Sequence, residues 1–237
     1  MTTASSVNLP YTSGVRHAGP PLLVPAILYA ALFALGLLFL FKLATSPYTP
    51  PFAAQADILS YFRSNSAGVR LNGFFQFAAS IPLGIFASTA VSRLNFLEVR
   101  AAGTTIALFG GIGASIFLAI CGLSQWVMAR PEVLVDASLL RSWQDIAYVT
   151  GGVGHIALTG LLLAGLSIPS MMFRLLPRAL CIFGIVLAVL SEVSTLSLIF
   201  PSTTLLLLVR FPTFVWIILC GATLAHRRVP RSSNIEN

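Results

Sequence analysis

Long apolar runs alternate with short polar joints along the whole chain. Six runs, 22–44, 71–92, 101–124, 146–168, 179–200 and 205–225, hold few charges in their interiors. A bilayer's hydrocarbon core is about 30 Å thick, so a spanning helix needs about 20 residues at about 1.5 Å each. Every run meets that length. Lipid offers no partners to exposed backbone groups, so each run must be helical. Barrel strands would instead alternate polar and apolar residues in segments of about ten. The pattern predicts an all-α, polytopic integral membrane protein: a six-transmembrane-helix bundle over 22–225. The flanking polar tails, 1–21 and 226–237, are expected to be mobile. Run 22–44 is too long for a secretory h-region and no small-residue cleavage site follows it, so it is expected to remain as the first membrane helix.

Long joints at 45–70 and 125–145 alternate with tight ones at 93–100, 169–178 and 201–204. Within the first long joint, Phe52-Ala-Ala-Gln-Ala-Asp-Ile-Leu-Ser-Tyr-Phe-Arg63 allows either an ordered loop or a surface helix. The helix would turn Phe52, Ala56, Leu59 and Phe62 towards the membrane. With the amino terminus inside, eight basic residues fall on the inner side: Arg16, Arg93, Arg100, Arg174, Arg178, Arg227, Arg228 and Arg231. Six fall on the outer side: Lys42, Arg63, Arg70, Arg130, Arg141 and Arg210. The two short inner joints carry Arg93 with Arg100 and Arg174 with Arg178, and short joints follow the positive-inside rule best. Both termini are therefore expected in the cytoplasm.

Small residues recur at helical spacing. Ser80-x3-Gly84-x3-Ser88 flanks Pro82, where a kink is expected. Gly110-Gly-Ile-Gly-Ala-Ser115 and Gly151-Gly-Val-Gly154, followed by Gly160-x3-Ala164, form further stripes. Such spacing lets membrane helices approach closely. The glycine runs lack the preceding strand and the Lys of a phosphate loop.

Composition narrows the partners. Of 237 residues, 57% are hydrophobic and 9% charged, against about 25% charged in a soluble domain. The lipid bilayer is the partner this composition demands. The net charge of +7 does not point to nucleic acid, because the basic residues are scattered singly without interleaved aromatics. Cys121, Cys181 and Cys220 lie inside apolar runs without metal-ligand spacing, and read as small apolar residues.

Ionisable residues inside a membrane are costly and tend to be paired or functional. Glu192 is expected roughly 12 Å deep, His155 roughly 14 Å, and Arg210 roughly 8 Å, with Gln76 similarly placed. Asn72, Gln125, Asp145 and Lys42 sit near the same boundary. The polar residues thus crowd the outer half, which suggests an outward-facing pocket formed by Glu192, His155, Arg210, Gln76 and Asn72. The alternative is structural: Glu192 and Arg210 neutralise each other, or Arg210 snorkels to the interface, and His155 bonds a carbonyl. No zinc His-Glu-x-x-His, serine-protease loop, intramembrane aspartate pair or haem-binding histidine pair is present, and no cofactor, metal site or catalytic residue is implied.

The stretch Leu175-Leu-Pro-Arg-Ala-Leu-Cys-Ile-Phe-Gly184, then Phe211-Pro-Thr-Phe-Val-Trp216 and Gly221, resembles the domain-of-unknown-function 4386 family. The resemblance is best over 175–221 and implies a bacterial membrane protein of six helices. That family often carries an acid a turn before the Trp; here Arg210 and Phe211 occupy the region. It implies no mechanism.

Two functions are compatible with these features. One is binding or passing a small solute, ion or lipid through the polar pocket. The other is a non-catalytic subunit or helper, whose small-residue faces pack against a membrane-protein partner or a second copy. An intramembrane enzyme ranks below both.

Overall fold

The computed structural model describes residues 17–200 and 202–224. Helices α1 (Leu23–Lys42), α2 (Gln55–Phe96) and α3 (Ala102–Met128) are followed by a short α4 (Ala137–Ala147). A π-helical turn, Tyr148–Gly154, joins α4 to α5 (His155–Met172). Then come α6 (Arg178–Val193), prolonged by a 3-10 turn over Ser194–Leu198, and α7 (Thr204–Thr223). Among the described residues, six helical stretches are long and apolar enough to cross a membrane. Among the described residues there is no strand.

Neighbours follow a ring, α1–α2–α3–α5–α6–α7, with α7 closing back on α1. The outer surface carries large apolar side chains such as Phe109, Leu208 and Ile199, each more than 60% exposed. Water would not tolerate a belt of this kind; hydrocarbon would.

The ends of the ring differ. One has tight turns at 97–101 and 173–177. Each is closed by a left-handed residue, Glu98 (φ 62°) and Arg174 (φ 55°). In both, the next N–H bonds back five residues, Val99 to Leu94 and Leu175 to Ser170, the Schellman closure of a helix. At this end Arg93 is buried and donates to the carbonyls of Leu224 and Pro20, at 3.2 and 3.5 Å, tying both chain ends to α2. Residues 17–21 are therefore fastened: His17 contacts Ser92 at 3.1 Å and stacks edge-on against Phe96. Residues 1–16 and 225–237, the rest of the two expected mobile tails, lie outside the described residues.

The other end is capped by the two long joints. The expected surface helix exists, but it is the first part of α2 and it packs on protein. Its buried face is Ile58, Tyr61 and Phe62, while Phe52 and Ala56 are exposed. These residues meet Met128, Val133 and Leu140 in a second apolar cluster. Arg63 donates to the Leu134 carbonyl at 2.7 Å and Arg141 to that of Ala53 at 3.0 Å, knitting the cap. The break in α2 falls at Asn65 (φ −121°, ψ 18°), the one non-helical position within it, and not at Pro82. Asn65 is buried; its amide accepts from Thr45 N–H at 2.7 Å and donates to the Tyr61 carbonyl at 2.8 Å. The end of α1 is thereby pinned to the break.

The glycine stripes are used inside the bundle. A Cβ on Gly110 would stand 2.6 Å from the backbone of Leu158, and one on Gly165 2.5 Å from Ala107 N. One on Gly122 would stand 2.5 Å from Phe77 N. The segments 175–184 and 211–216 also meet. Trp216 is fully buried, donates to the Leu180 carbonyl at 2.9 Å, and fills the space that a Cβ on Gly184 would occupy.

Candidate functional site

Beneath the cap lies a cavity of about 320 Å³. Its walls come from α1, α2, α3, the α4–π segment and α7, and are mainly apolar, with Leu40, Phe62, Val69, Met128 and Leu206 among them. Polar groups enter at a few points.

The first is a closed ring of three amides. Asn72 and Gln76 lie one turn apart on α2 and so share a face; Gln125 approaches from α3. Asn72 Nδ2 donates to Gln125 Oε1. Gln125 Nε2 donates to Gln76 Oε1 at 2.9 Å. Gln76 Nε2 closes the ring on Asn72 Oδ1 at 3.4 Å. Cys121 Sγ, one turn before Gln125, adds a bond to Gln76 Oε1 at 3.3 Å. All three amides line the cavity, and each amide NH₂ has two N–H groups to offer.

The second is Arg210 on α7. Its Nη2 donates to the Gly151 carbonyl, and its guanidinium carbon lies 5.4 Å from the centre of the Phe33 ring. Its Nε is cut off from solvent and has no hydrogen-bond partner. The third is Gln144 of α4: Nε2 reaches the Thr49 carbonyl at 3.5 Å, while Oε1 is buried without a partner.

The backbone is irregular where these groups meet. Gly151 sits in the π-helical turn, a geometry that recurs at functional sites. A Cβ there would lie 2.1 Å from Cys121 Sγ, so only glycine lets α3 and the turn come this close. Tyr148, in the same turn, donates to the Ser197 carbonyl at 3.3 Å and links the π turn to the 3-10 turn after α6.

Of the five residues expected to form a pocket, Asn72, Gln76 and Arg210 line this cavity. His155 is buried directly behind it, off the lining. Its Nδ1 lies 2.9 Å from the Ala114 carbonyl, which can only accept, so Nδ1 carries the proton. Nε2 then accepts from the Tyr29 hydroxyl at 3.2 Å. Both nitrogens have partners within the protein. Glu192 departs from the expectation altogether: it is exposed on the bundle surface and forms no ion pair with Arg210. Ser191, the residue before it, is fully buried, and a one-residue step on a helix turns a side chain about 100° away, which carries Glu192 off the buried face.

Every carboxylate among the described residues is in fact exposed. Arg210 therefore has no acidic partner. The described ion pairs, Arg130–Glu132 at 3.2 Å and Arg141–Asp145 at 3.5 Å, belong to the cap. No three His, Cys, Asp or Glu side chains come together among the described residues in the way a metal ion needs. Sequence reasoning passed over Gln144, whose position in a joint gave no reason to look inward. The pairing of Cys121–Gln125 with Asn72–Gln76, both at one-turn spacing and at one depth, was a usable signal for the amide ring. No family model, no curated protein and no solved structure matches this chain.

Proposed function

We propose that this is a bacterial inner-membrane protein, with both termini in the cytoplasm, that binds a small molecule in the capped cavity from the outer side. Arg210 carries the reading. Arg210 puts a positive charge on the wall of a mainly apolar cavity, and no described carboxylate is buried there to neutralise it. Such a group is retained where a ligand completes it. The orphaned Gln144 Oε1 and the amide ring add polar contacts to a mainly apolar wall, the usual composition of a small-molecule site. The cavity lies within the usual size range of ligand pockets, about 300–1,000 Å³. Orientation is supported by Arg93, Arg100, Arg174 and Arg178 at the tight-turn end. Kinship with the domain-of-unknown-function 4386 family draws on the Leu175–Gly184 and Phe211–Trp216 segments, which pack on each other. The helper-subunit reading draws less support, since the glycines Gly110, Gly122 and Gly165 meet helices of the same chain.

Cysteine accessibility tests this reading. Met128 and Leu206 line the cavity and Leu187 belongs to the packed core, yet all three are at most 4% exposed. In a background without the three native cysteines, Cys at 128 or 206 should react with a small water-soluble thiol reagent added outside intact cells. Cys at 187 should stay silent. Silence at all three positions would remove the binding-site reading. Labelling of an Asn95→Cys variant from outside, in place of Ser138→Cys, would reverse the orientation.

A further inference from the structure

Resting on that reading of the cavity, we infer that its ligand is a monoanionic amphiphile, a single carboxylate on an unbranched hydrocarbon body, admitted from the side between α1 and α7. The charge follows from the lining. One guanidinium faces the cavity and no described carboxylate is buried, so an amine or zwitterion would find no counter-charge. A dianion would exceed the single positive charge on the lining. Arg210 uses one N–H of Nη2 on Gly151, leaving Nη1 and the second N–H of Nη2 for an oxyanion, and a carboxylate matches such a pair of donors.

The body follows from shape. Phe33 and Tyr29 of α1 pack against Phe214 of α7 with ring centres 5.0 Å apart, which closes the two helices below Arg210. Above it the cavity separates Leu37 and Phe41 of α1 from Leu206 and Leu207 of α7. Phe41 and Leu207 also reach the lipid-facing surface, 61% and 50% exposed. An apolar gap between two membrane helices is a path for a hydrocarbon chain. A volume of about 320 Å³ matches roughly ten water-sized groups at about 30 Å³ each. A carboxylate and a chain of about eight carbons fit inside at that scale, and a longer chain would extend through the gap into the bilayer.

The test uses the full chain in a neutral maltoside detergent. Decanoate, decanol and acetate are titrated by thermal shift and calorimetry, at a pH where the acids are ionised. Decanoate should bind about 10- to 100-fold more tightly than decanol, the range for a hydrogen bond to a charged group. Arg210→Gln should erase that ratio and Arg210→Lys should keep part of it. Should Arg210→Gln fail to fold, the wild-type decanoate-to-decanol ratio decides alone. Equal affinity for decanoate and decanol would overturn the anionic head while leaving the cavity a binding site. Acetate competing as well as decanoate would overturn the hydrocarbon body in favour of a water-borne carboxylate. No binding of either ten-carbon probe, with the cavity cysteines reactive, would overturn the amphiphile but not the site. The same silence with unreactive cysteines would overturn both.

Discussion

Around Trp216, at the tight-turn half of the bundle, an indole is enclosed on every side, its N–H held by Leu180 and its space opened by Gly184. Around Arg210, in the capped half, a guanidinium stands on the wall of a cavity. The first region has regular helices, and close backbone contacts occur in both halves, at Gly165 in the first and at Gly73 and Gly122 in the second. The second gathers the break at Asn65, the π turn at Tyr148–Gly154 and the 3-10 turn at Ser194–Leu198. Helix regularity and close packing go together because small residues let straight helices touch. Where polar groups must face a hollow, the ladder gives way and frees backbone groups to join in, as the Gly151 carbonyl does for Arg210.

The largest expected effect lies at the tight-turn half. Trp216→Ala should destabilise the detergent-solubilised protein by about 3–5 kcal/mol, the range for an emptied aromatic site, measured by chemical denaturation. A loss below about 1 kcal/mol would mean that this half is not the packed one.

Glycine substitutions sharpen the contrast. Gly165→Ala would place a Cβ 2.5 Å from the Ala107 and Gly103 backbone, which cannot yield easily, and should lose about 1–3 kcal/mol. At Gly152 the nearest atom is the flexible Leu206 Cδ1 at 3.3 Å. Gly152→Ala should be neutral within about 0.5 kcal/mol, since a helical alanine gains what the contact loses. Equal losses at both sites would dissolve the distinction. In the amide ring, Gln76→Leu should lose about 1–3 kcal/mol by orphaning Asn72 and Gln125, and a matching double change with Gln125→Leu should recover part of it in a mutant cycle.

The smallest effect concerns the cap. Asp136 caps α4 by accepting from the N–H groups of Ser138 and Leu139, and these bonds, with the Ser138 hydroxyl foremost, hold its carboxyl below the ordinary aspartate range. Its contribution is present above that ordinary range and is lost as pH falls through the lowered value. Asp136→Asn should therefore flatten the acid side of the pH–stability curve slightly, read from melting temperatures across an acid titration.

The sequence made the spans legible because hydropathy and length act residue by residue. The runs 22–44 and 205–225 differ from Leu23–Lys42 and Thr204–Thr223 by one or two residues at each end. The joints were harder. Ile58 and Tyr61 face protein because α4 folds over them, a tertiary contact that no local period encodes. Depth along a helix could be read from residue number, so Asn72, Gln76 and Arg210 were found at one level. Azimuth could not, and Glu192 was assigned inward when the helix turns it out. His155 was assigned to the pocket, yet Tyr29 and Ala114, distant in sequence, take both of its nitrogens.

The central claim is that no acidic group compensates Arg210 within the fold, and its own stability tests that most directly. In delipidated protein in neutral detergent, Arg210→Met removes the charge while keeping the volume. Replacing a buried charge by an apolar residue of similar size can stabilise by about 1–4 kcal/mol, so the variant should melt at a higher temperature than the native chain. A lower melting temperature would mean that Gly151 and Phe33 already satisfy the guanidinium, and that it serves the fold and no ligand.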